Sequence, residues 1–388
     1  MLIRQAIGQV LVQPVRHRQQ VHRVHSRKIL AERKRAREKK DKQQPLHHPY
    51  HSSAIGSRLE SRQQARPNMS LSAVVPVWNG RDLLARLLDS LEIQTLPVSE
   101  LLVVDNGSTD GAPELARSRG ARVIPMGRNA GFAAAVNRGI QECRGPWIAV
   151  LNSDVELAPD YFATLAAAGA PFATGKIFSS GAPNLLDATF DAVCRGGVAW
   201  RVGNGRADGP AFAARRPIAS PPWTAVLFRA DVFHSVGLLN ETFESYLEDV
   251  EFGLRCAARG LTGLYVPEAV AWHRGSSALG PWHSETVRRL ARNQCYLVAL
   301  HFPLSHWWAI LVAQLLWGAV AARHGRGLAW LRGKLQGIRG AAQLRDTRDL
   351  TPPDYLSDCE RTIYHVQQAT GFDSYWRLYF LLTSGGAK

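Results

Sequence analysis

Cysteine is scarce in this chain of 388 residues: five are scattered along it, and none belongs to a CxxC pair. An odd number of isolated cysteines argues against a disulfide framework and against a cysteine-based zinc site. The pattern is typical of a protein that works in a reducing compartment.

Motifs that mark several common enzyme classes are also missing. The chain contains no GxxxxGK[ST] phosphate loop, no GxSxG nucleophile elbow and no HExxH zinc motif. No GxGxxG follows a predicted strand, and the GNG sequence at 203–205 falls in a stretch without periodicity. These absences argue against P-loop nucleotide hydrolysis, α/β-hydrolase chemistry, zinc proteolysis and dinucleotide binding.

Acidic residues are few in the first 68 positions. That segment holds 16 Lys and Arg against 4 Asp and Glu, whereas the rest of the chain holds 31 against 28. We predict that residues 1–68 form a basic, disordered tail. Three interpretations of the tail stay open. The tail contacts phosphates of nucleic acid or lipid, or it contacts neither. The third is that translation begins at Met69, which directly precedes the first predicted strand.

From position 71 onward, apolar runs alternate with helical patterns. The runs LSAVVPV, ELLVVD, ARVIPM and PWIAVL are predicted strands, and each of the first three is followed by a segment with leucine or alanine at helical spacing. Such alternation predicts an α/β fold with a mostly parallel sheet. Ligands of these sheets bind beyond the carboxyl ends of the strands, where this sequence places polar turns. The stretch 172–222 lacks periodicity and is predicted to form loops and short strands.

The composition changes after about position 275. Residues 307–322 form an apolar run of roughly sixteen residues, short of the ~20 that a spanning helix needs. The next segment places Leu328, Leu331, Leu335 and Ile338 on one helical face with basic residues beside it. We expect these helices to lie in a membrane interface; the alternative is that they are buried against the core.

Carboxylates at the predicted strand ends are the first candidates for chemistry. Asp105 could accept hydrogen bonds from a ribose or a base, or it could form an Asx turn. Asp154 could hold Mg²⁺ or Mn²⁺ against a diphosphate, or it could cap a turn. His273 ends the last predicted strand and would reach the same edge as Asp154, although a single histidine is more often structural.

A second candidate is the acidic start of a predicted helix, SYLEDVEFGLRCAARG, at 245–260. Glu248, Asp249 and Glu251 fall in its first turn, and an apolar face follows. Carboxylates are stabilised there by the helix dipole, so this pattern alone favours a structural role over catalysis.

Five blocks of sequence resemble family 2 glycosyltransferases, in the order seen in that family. They are VVPVWNG, VVDNGSTDG, NAGFAAAVNRGI, VLNSDVEL and YLEDVEFGLRCAARG…VPEAVAWH, and they resemble the bacterial rhamnosyltransferase-like and galactofuranosyltransferase-like branch most. The resemblance covers about 71–273. It implies a GT-A fold at 69–275, a nucleotide-diphospho-sugar donor and inverting transfer. The helical region 276–388 would be a membrane-associated extension.

The resemblance also implies roles for individual residues. Asp249 would be the catalytic base, and Asp154 with His273 would bind a divalent metal, Mg²⁺ or Mn²⁺. The remaining implied contacts divide between the nucleotide sugar and the acceptor. The nucleotide sugar would be bound by Pro76, Val77, Asn79, Asp105, Asn129, Gly131 and Asp154, and the acceptor by Glu248 and Trp223.

Two positions depart from the family pattern. Asn152 stands at the first position of the acidic metal motif, so metal binding would depend on Asp154 and His273. Thr224 stands where the family often has glycine, which would alter the sugar or acceptor pocket.

The expected function is transfer of a sugar, with dTDP-rhamnose as one possible donor, to a saccharide or lipid-linked acceptor. We expect a cytoplasmic protein, peripheral at the inner face of the cell membrane and acting in cell-wall or polysaccharide biosynthesis, with nucleic acid not a partner. Three alternatives remain: a sugar nucleotidyltransferase, a nucleic-acid binder that uses the basic tail, and a non-catalytic binder of sugar nucleotides. A nucleotidyltransferase should carry a glycine-rich basic loop after the first strand, and VPVWNGRDLL is not one.

Overall fold

The computed structural model describes residues 70–275, 282–347 and 349–383. The prediction for residues 1–68 therefore lies outside the described residues. The strands in chain order are β1 (Leu71–Val77), β2 (Glu100–Asp105), β3 (Arg122–Pro125), β4 (Trp147–Leu151), β5 (Val155–Leu157), β6 (Phe172–Ser179), β7 (Ala182–Ala188), β8 (Asp191–Val193), β9 (Ala199–Arg201), β10 (Arg216–Ile218), β11 (Ala225–Arg229) and β12 (Gly263–His273).

The helices pack on both faces of the sheet and extend beyond it at the C-terminal end. They are α1 (Arg81–Glu92), α2 (Ala112–Ser118), α3 (Phe132–Glu142), α4 (Tyr161–Ala167), α5 (Asp231–Val236), α6 (Glu248–Ala258), α7 (Ser284–His301), α8 (Trp307–Arg323), α9 (Gly327–Ala341), α10 (Pro353–Thr370) and α11 (Ser374–Thr383). Helix α1 illustrates the sequence logic: its leucines at helical spacing, Leu84, Leu87, Leu88 and Leu91, are all buried.

One sheet organises the described part of the chain, with strand order β10-β12-β6-β11-β4-β1-β2-β3. Strands β1, β2, β3 and β4 are parallel neighbours, and β12 is parallel to β6. Strand β11 runs antiparallel to both β4 and β6, so the sheet is mixed although most of its strands share one direction. The predicted α/β class is confirmed, and the first four predicted strands occur along the chain as β1 to β4.

The stretch 172–222 corrects the prediction of loops and short strands. Its first eight residues form β6, which lies inside the sheet between β11 and β12. The sequence FATGKIFS hides this strand because Thr174, Gly175 and Lys176 interrupt the apolar run. All three are buried, and Gly175 is required because a Cβ there would lie 2.1 Å from the carbonyl oxygen of Ala269. A short antiparallel pair, β8 and β9, follows outside the main sheet.

The carboxyl ends of β1, β2, β4 and β12 meet at one edge of the sheet, as the sequence predicts. The register pairs Val77 with Asp105 at the ends of β1 and β2. Strand β11 enters the sheet at this edge because it is reversed, and Ala225 at its start pairs with Leu151 at the end of β4. The turns after β1, β2 and β4 therefore surround one site together with the segment before β11.

The C-terminal helices share a hydrophobic core with the sheet. Buried side chains of α8, α10 and α11 belong to the same cluster as Val150 of β4 and Phe228 of β11. The proposed boundary between 275 and 276 remains a prediction. Among the described residues, one helical segment, Leu304–Arg323, has the length and the apolar composition to cross a membrane. In its most apolar stretch of 18 residues, 28% is buried inside the protein.

Candidate active site

A histidine between two carboxylates stands at the end of β12. His273 Nε2 lies 3.1 Å from Asp154 Oδ1, and His273 Nδ1 lies 2.9 Å from Asp187 Oδ2. The Asn152 amide nitrogen is 3.4 Å from the same Nε2 atom. The main-chain pairing of His273 with Val155 holds the histidine beside Asp154. The structure thus brings together the two side chains predicted to bind metal.

The two carboxylates beside His273 favour a positive charge on its imidazole. Burial opposes a charge on the imidazole, but the carboxylates of Asp154 and Asp187 raise its pKa to about 9. When the Nδ1–H group donates to Asp187, Nε2 points toward Asp154. This is the carboxylate–histidine arrangement that orients a metal ligand.

The donor set suits a cation that takes further ligands from its substrate. No group of three or more His, Cys, Asp or Glu side chains placed to hold a metal occurs in the part of the chain that the structure describes. One carboxylate oxygen and one imidazole nitrogen, which lie 3.1 Å apart, are the two donors. A bound cation would take its remaining ligands from water and phosphate oxygens. Mg²⁺ in particular is commonly held by one or two carboxylates plus substrate phosphates.

Asp249 lies in the first turn of α6, near the single positive charge of Arg201. The Asp249 Oδ2 atom is 3.5 Å from Arg201 Nη2, and Oδ1 accepts a hydrogen bond of 2.9 Å from the Val250 N–H. Arg201 also approaches Asp191 Oδ1 at 3.6 Å through Nε. One guanidinium therefore serves two carboxylates, and neither contact is a close bidentate pair.

Burial dominates the electrostatics around Asp249. It raises the pKa of Asp249 above the ordinary value of aspartate, while Arg201 and backbone N–H groups oppose the shift. Burial also raises the pKa of Asp191 to about 7 and, together with the nearby Asp249 charge, raises that of Glu248 well above its usual range. In its ionised form, a carboxylate that is more basic than usual is suited to accept a proton.

Arg201 acts on the surroundings of both His273 and Asp249. Burial opposes a charge on Asp187, but its contact with His273 and, to a lesser extent, the Arg201 charge lower its pKa. Arg201 also opposes the rise in the pKa of Asp249. A base and a cation site at these positions would serve a reaction in which a proton is removed and an anion departs.

The ends of β1 and β2 and the turn after β1 hold four of the residues predicted to bind the nucleotide sugar. Asp105 Oδ1 accepts from the Ser108 N–H at 2.8 Å, so this residue forms the Asx turn that the sequence left open. Asn79 Oδ1 accepts from the Thr109 N–H at 2.9 Å and ties the two turns together. Pro76 is half-buried beside them. The nucleotide roles of Pro76, Asn79 and Asp105 remain predictions.

Val77 requires a correction. Its side chain is buried, and its carbonyl oxygen accepts from the Asn106 N–H at 2.8 Å. The residue therefore supports the pocket from within the sheet and does not line it. Successive side chains of a strand point to opposite faces of the sheet, and the sequence VVPV does not indicate which of its residues face a ligand.

Asn129 and Gly131 lie in the turn before α3. Asn129 Oδ1 accepts from the Gly131 N–H at 3.1 Å. Gly131 has a φ of 93°, and a Cβ on it would lie 2.8 Å from the Glu244 carbonyl oxygen. Only glycine fits this close approach between the α3 turn and the segment that leads into α6. The predicted contact of both residues with the diphosphate remains a prediction.

The two residues predicted to bind acceptor occupy different environments. Trp223 is a correction: its indole is 1% exposed and packs against Phe228 and Phe252, with ring centroids 4.9 and 5.0 Å away. Its side chain belongs to the core, and its backbone N–H reaches the Asp249 carboxylate.

Glu248 is 6% exposed, and its Oε2 atom has no hydrogen-bond partner among the described residues. Its role at the acceptor remains a prediction. Glu251 is structural, since it pairs with Arg255.

Three charged residues of this site were missed at the sequence level. Asp187, Asp191 and Arg201 all fall in the stretch without periodicity, where a charged residue in a loop carries no signal of its own. They reach the site because β7, β8 and β9 return to the sheet edge.

Comparison with known proteins identifies the domain that holds the first half of the sheet. The model of glycosyl transferase family 2 matches residues 72–170, from β1 to the segment between α4 and β6. Residues 72–170 are a family 2 glycosyltransferase domain. The predicted enzyme class is thereby confirmed.

Similar proteins extend this result beyond the matched residues. An N-acetylglucosaminyl-diphospho-decaprenol L-rhamnosyltransferase of Mycobacterium tuberculosis is 28% identical over 268 residues, which cover 62% of this chain and 87% of that protein. The uncharacterized glycosyltransferase YibD of Escherichia coli is 34% identical over 100 residues, covering 24% of this chain and 29% of its own. The glycosyltransferase resembles the rhamnosyltransferase branch, as predicted.

The fold of the glycosyltransferase is GT-A. The crystal structure of GalNAc-T7 with UDP, GalNAc and Mn²⁺ superposes with a TM-score of 0.55 at 14% identity, covering 79% of this chain and 59% of that one. This likeness confirms the predicted fold class.

In the glycosyltransferase, the segment that leads into α6 is strained and clamped. Glu244, Tyr246 and Leu247 have φ values of 60°, 74° and 68°, which side-chain-bearing residues rarely adopt. The amide nitrogen of Asn293 on α7 lies 2.8, 3.0 and 2.7 Å from the carbonyl oxygens of Phe243, Ser245 and Tyr246. A fully buried amide of the C-terminal region thus holds the segment that presents Asp249.

We expect Asn293→Ala to lower kcat by about tenfold or more and to leave the donor KM nearly unchanged. Releasing the clamp lets the strained segment relax and moves Asp249, and small displacements of catalytic groups are costly. The variant should also lose about 1–3 kcal/mol of unfolding free energy, since three carbonyls lose a donor. Steady-state kinetics and thermal melts measure both effects.

Gln94→Ala is the matched control for this variant. Gln94 is a buried amide that donates to the carbonyls of Ser90 and Ala158, outside the candidate site. It should lose stability and keep kcat. An Asn293→Ala enzyme with unaltered kcat would contradict a positioning role.

Proposed function

We propose that the protein transfers a sugar, with inversion at the anomeric carbon, from a nucleotide diphosphate sugar to a hydroxyl of a saccharide or lipid-linked saccharide. Asp249 is the general base in this proposal. Asp154 and His273 are the residues that would hold a divalent metal at the diphosphate.

One observation carries the proposal. Arg201 lies 3.5 Å from the Asp249 carboxylate at the start of α6, and its charge also acts on Asp187, which contacts His273 beside Asp154 at the end of β12. Neither half is informative alone, because helix starts and strand ends often carry carboxylates.

The proposed reaction balances as a single displacement. Asp249 accepts the proton of the acceptor hydroxyl while the hydroxyl oxygen forms a bond to the anomeric carbon. The bond from that carbon to the diphosphate oxygen breaks, and the nucleoside diphosphate leaves with the electron pair. Attack and departure on opposite sides of the sugar invert the anomeric centre.

The residues around the diphosphate have a separate task. A bound divalent cation supplies charge stabilisation for the departing diphosphate. His273 is held by Asp187 at Nδ1 and presents Nε2 beside Asp154, so the protein orients the two ligands before the donor binds.

The donor and acceptor are proposed from the relatives. The mycobacterial relative is named as an L-rhamnosyltransferase acting on N-acetylglucosaminyl-diphospho-decaprenol. This supports dTDP-rhamnose as the first donor to test and a polyprenyl-linked sugar as the first acceptor. It also supports a place at the cytoplasmic face of the cell membrane.

The function is tested with a panel of UDP-, dTDP- and GDP-sugars, full-length protein and polyprenyl-diphosphate-linked N-acetylglucosamine. Release of nucleoside diphosphate is measured with Mn²⁺ and with EDTA. We expect release from one donor class, dependent on the acceptor and on the metal.

Other outcomes distinguish the alternatives. Consumption of a nucleoside triphosphate with a sugar phosphate would identify a nucleotidyltransferase instead. Donor binding without turnover on any acceptor would indicate a non-catalytic binder. No binding of any donor, with salt-sensitive binding of nucleic acid, would overturn the proposal.

A further inference from the structure

Helix α8 presents an apolar face to solvent. Trp308, Leu311 and Leu315 lie at helical spacing and are 46%, 44% and 57% exposed. No charged residue occurs between positions 307 and 322. Leucines exposed to this degree along one stripe are unusual on a protein that meets only water.

Helix α9 exposes its apolar face as well, contrary to the alternative that it is buried against the core. Leu328, Leu331, Leu335 and Ile338 are 61%, 46%, 47% and 65% exposed. The opposite face packs through glycine: a Cβ on Gly333 would lie 2.2 Å from the Arg288 carbonyl oxygen of α7. The leucine face points outward because the helix is docked by its small residues.

The exposed faces belong to neighbouring helices. On one side of α8, Trp330 of α9 packs so closely on Gly318 that a Cβ there would lie 2.8 Å from the indole. On the other side, Tyr375 of α11 donates to the Ala313 carbonyl at 3.1 Å, and Trp308 donates to the Leu382 carbonyl at 3.0 Å. Helix α11 adds its own exposed leucines, Leu378, Leu381 and Leu382.

Charge selects the partner of this surface. From position 302 to position 345 the sequence contains no Asp or Glu, and its six Lys and Arg include one, Lys334, that is buried. Arg332 and Arg339 are exposed beside the leucines of α9, and Arg323 ends α8. An apolar face flanked by bases and carrying tryptophan at one end is the composition of a helix seated in a bilayer with anionic headgroups.

We propose that the outer faces of α8, α9 and α11 form one docking surface for an anionic lipid bilayer, in which the helices lie in the interface. The surface leads to the candidate site. Gln314 of α8 donates to the Gly196 carbonyl at 2.9 Å, between β8 and β9, which bear Asp191 and Arg201. Docking therefore holds the hairpin beside Asp249 close to the membrane. This link to a lipid-linked acceptor rests on the proposed function, whereas the docking itself does not.

The test is co-sedimentation of full-length protein with vesicles of phosphatidylcholine, alone or mixed with phosphatidylglycerol. Wild type is expected to bind the mixed vesicles. The double variant Leu331→Gln/Leu335→Gln should bind them at least about tenfold less, since two side chains no longer enter the bilayer. Arg332→Gln/Arg339→Gln should reduce the preference for phosphatidylglycerol.

Ile93→Gln is the matched control, because Ile93 is 51% exposed at the end of α1, outside the docking surface. It should bind like wild type, and all variants should keep their melting temperatures. The basic tail is present in every variant, so any contribution from it is constant. Equal vesicle binding by the leucine variant and wild type would overturn the proposal. It would also be overturned if wild type bound no vesicles and sedimented as a dimer, and if the leucine variant abolished that dimer. Vesicle binding by a protein that binds no donor would uphold docking and reject the function.

Discussion

Asp249→Asn is expected to lower turnover by at least about a hundredfold, the contribution typical of a positioned general base. The amide keeps the size of the side chain and its contact with the Val250 N–H, so donor binding should stay within about threefold of wild type. Nucleoside diphosphate release under saturating donor and acceptor measures the loss.

Glu248→Gln is the matched control for this variant. Glu248 is buried next to Asp249, and burial together with the Asp249 charge raises its pKa well above the ordinary range, which favours its protonated form. An uncharged amide resembles that form, and kcat should fall less than in Asp249→Asn. If the two variants were equally damaged, the neighbouring acid would have to be reconsidered as the base.

The pH dependence of kcat is a second test of Asp249 as the proposed base. The base must be ionised to work, so kcat should fall as the pH decreases through its pKa. Burial raises that pKa, while the Arg201 charge and backbone N–H groups oppose the shift. The acid limb should therefore lie above the ordinary aspartate value of about 4, and it should disappear in the residual activity of Asp249→Asn.

His273→Ala is expected to weaken metal-dependent binding of the nucleoside diphosphate by at least about tenfold, because one of the two proposed protein ligands is lost. Asp187→Asn should have a smaller effect in the same direction, since it only weakens the orientation of the imidazole. Calorimetric titration of the nucleoside diphosphate with and without Mn²⁺ measures binding without any turnover.

His301→Ala is the matched control for His273→Ala. His301 is a buried histidine set between a Glu251 carboxylate at 3.3 Å and the Asp349 carbonyl at 2.7 Å. It should cost stability and leave the metal dependence intact. A wild-type protein that binds nucleoside diphosphate equally well in Mn²⁺ and in EDTA would remove the basis for a metal at this site.

Sequence patterns were sufficient to predict the position of a site residue where that residue lies at the end or the start of a regular strand or helix. Asp154 follows a predicted strand and His273 ends one, so their position at one edge was foreseeable. Their approach to 3.1 Å depends on the antiparallel pairing of β12 with β5, which no sequence pattern indicated. Asp249 was foreseeable as the start of a helix, but its role came from the family resemblance. Trp223 shows the limit, because a tryptophan before a strand can face either the ligand or the core.

The sequence by itself determined the α/β order of β1 to β4, the edge that carries the site and the apolar character of α8, because each depends on local periodicity. Only the tertiary structure decided that Asp187 and Arg201 join His273 and Asp249, because β7 and β9 reach the edge through irregular connections that leave no periodic signal. It also decided that the leucines of α9 face outward. An amphipathic pattern fixes that a helix has an apolar side, and only the packing of Gly333 on α7 fixes where that side points.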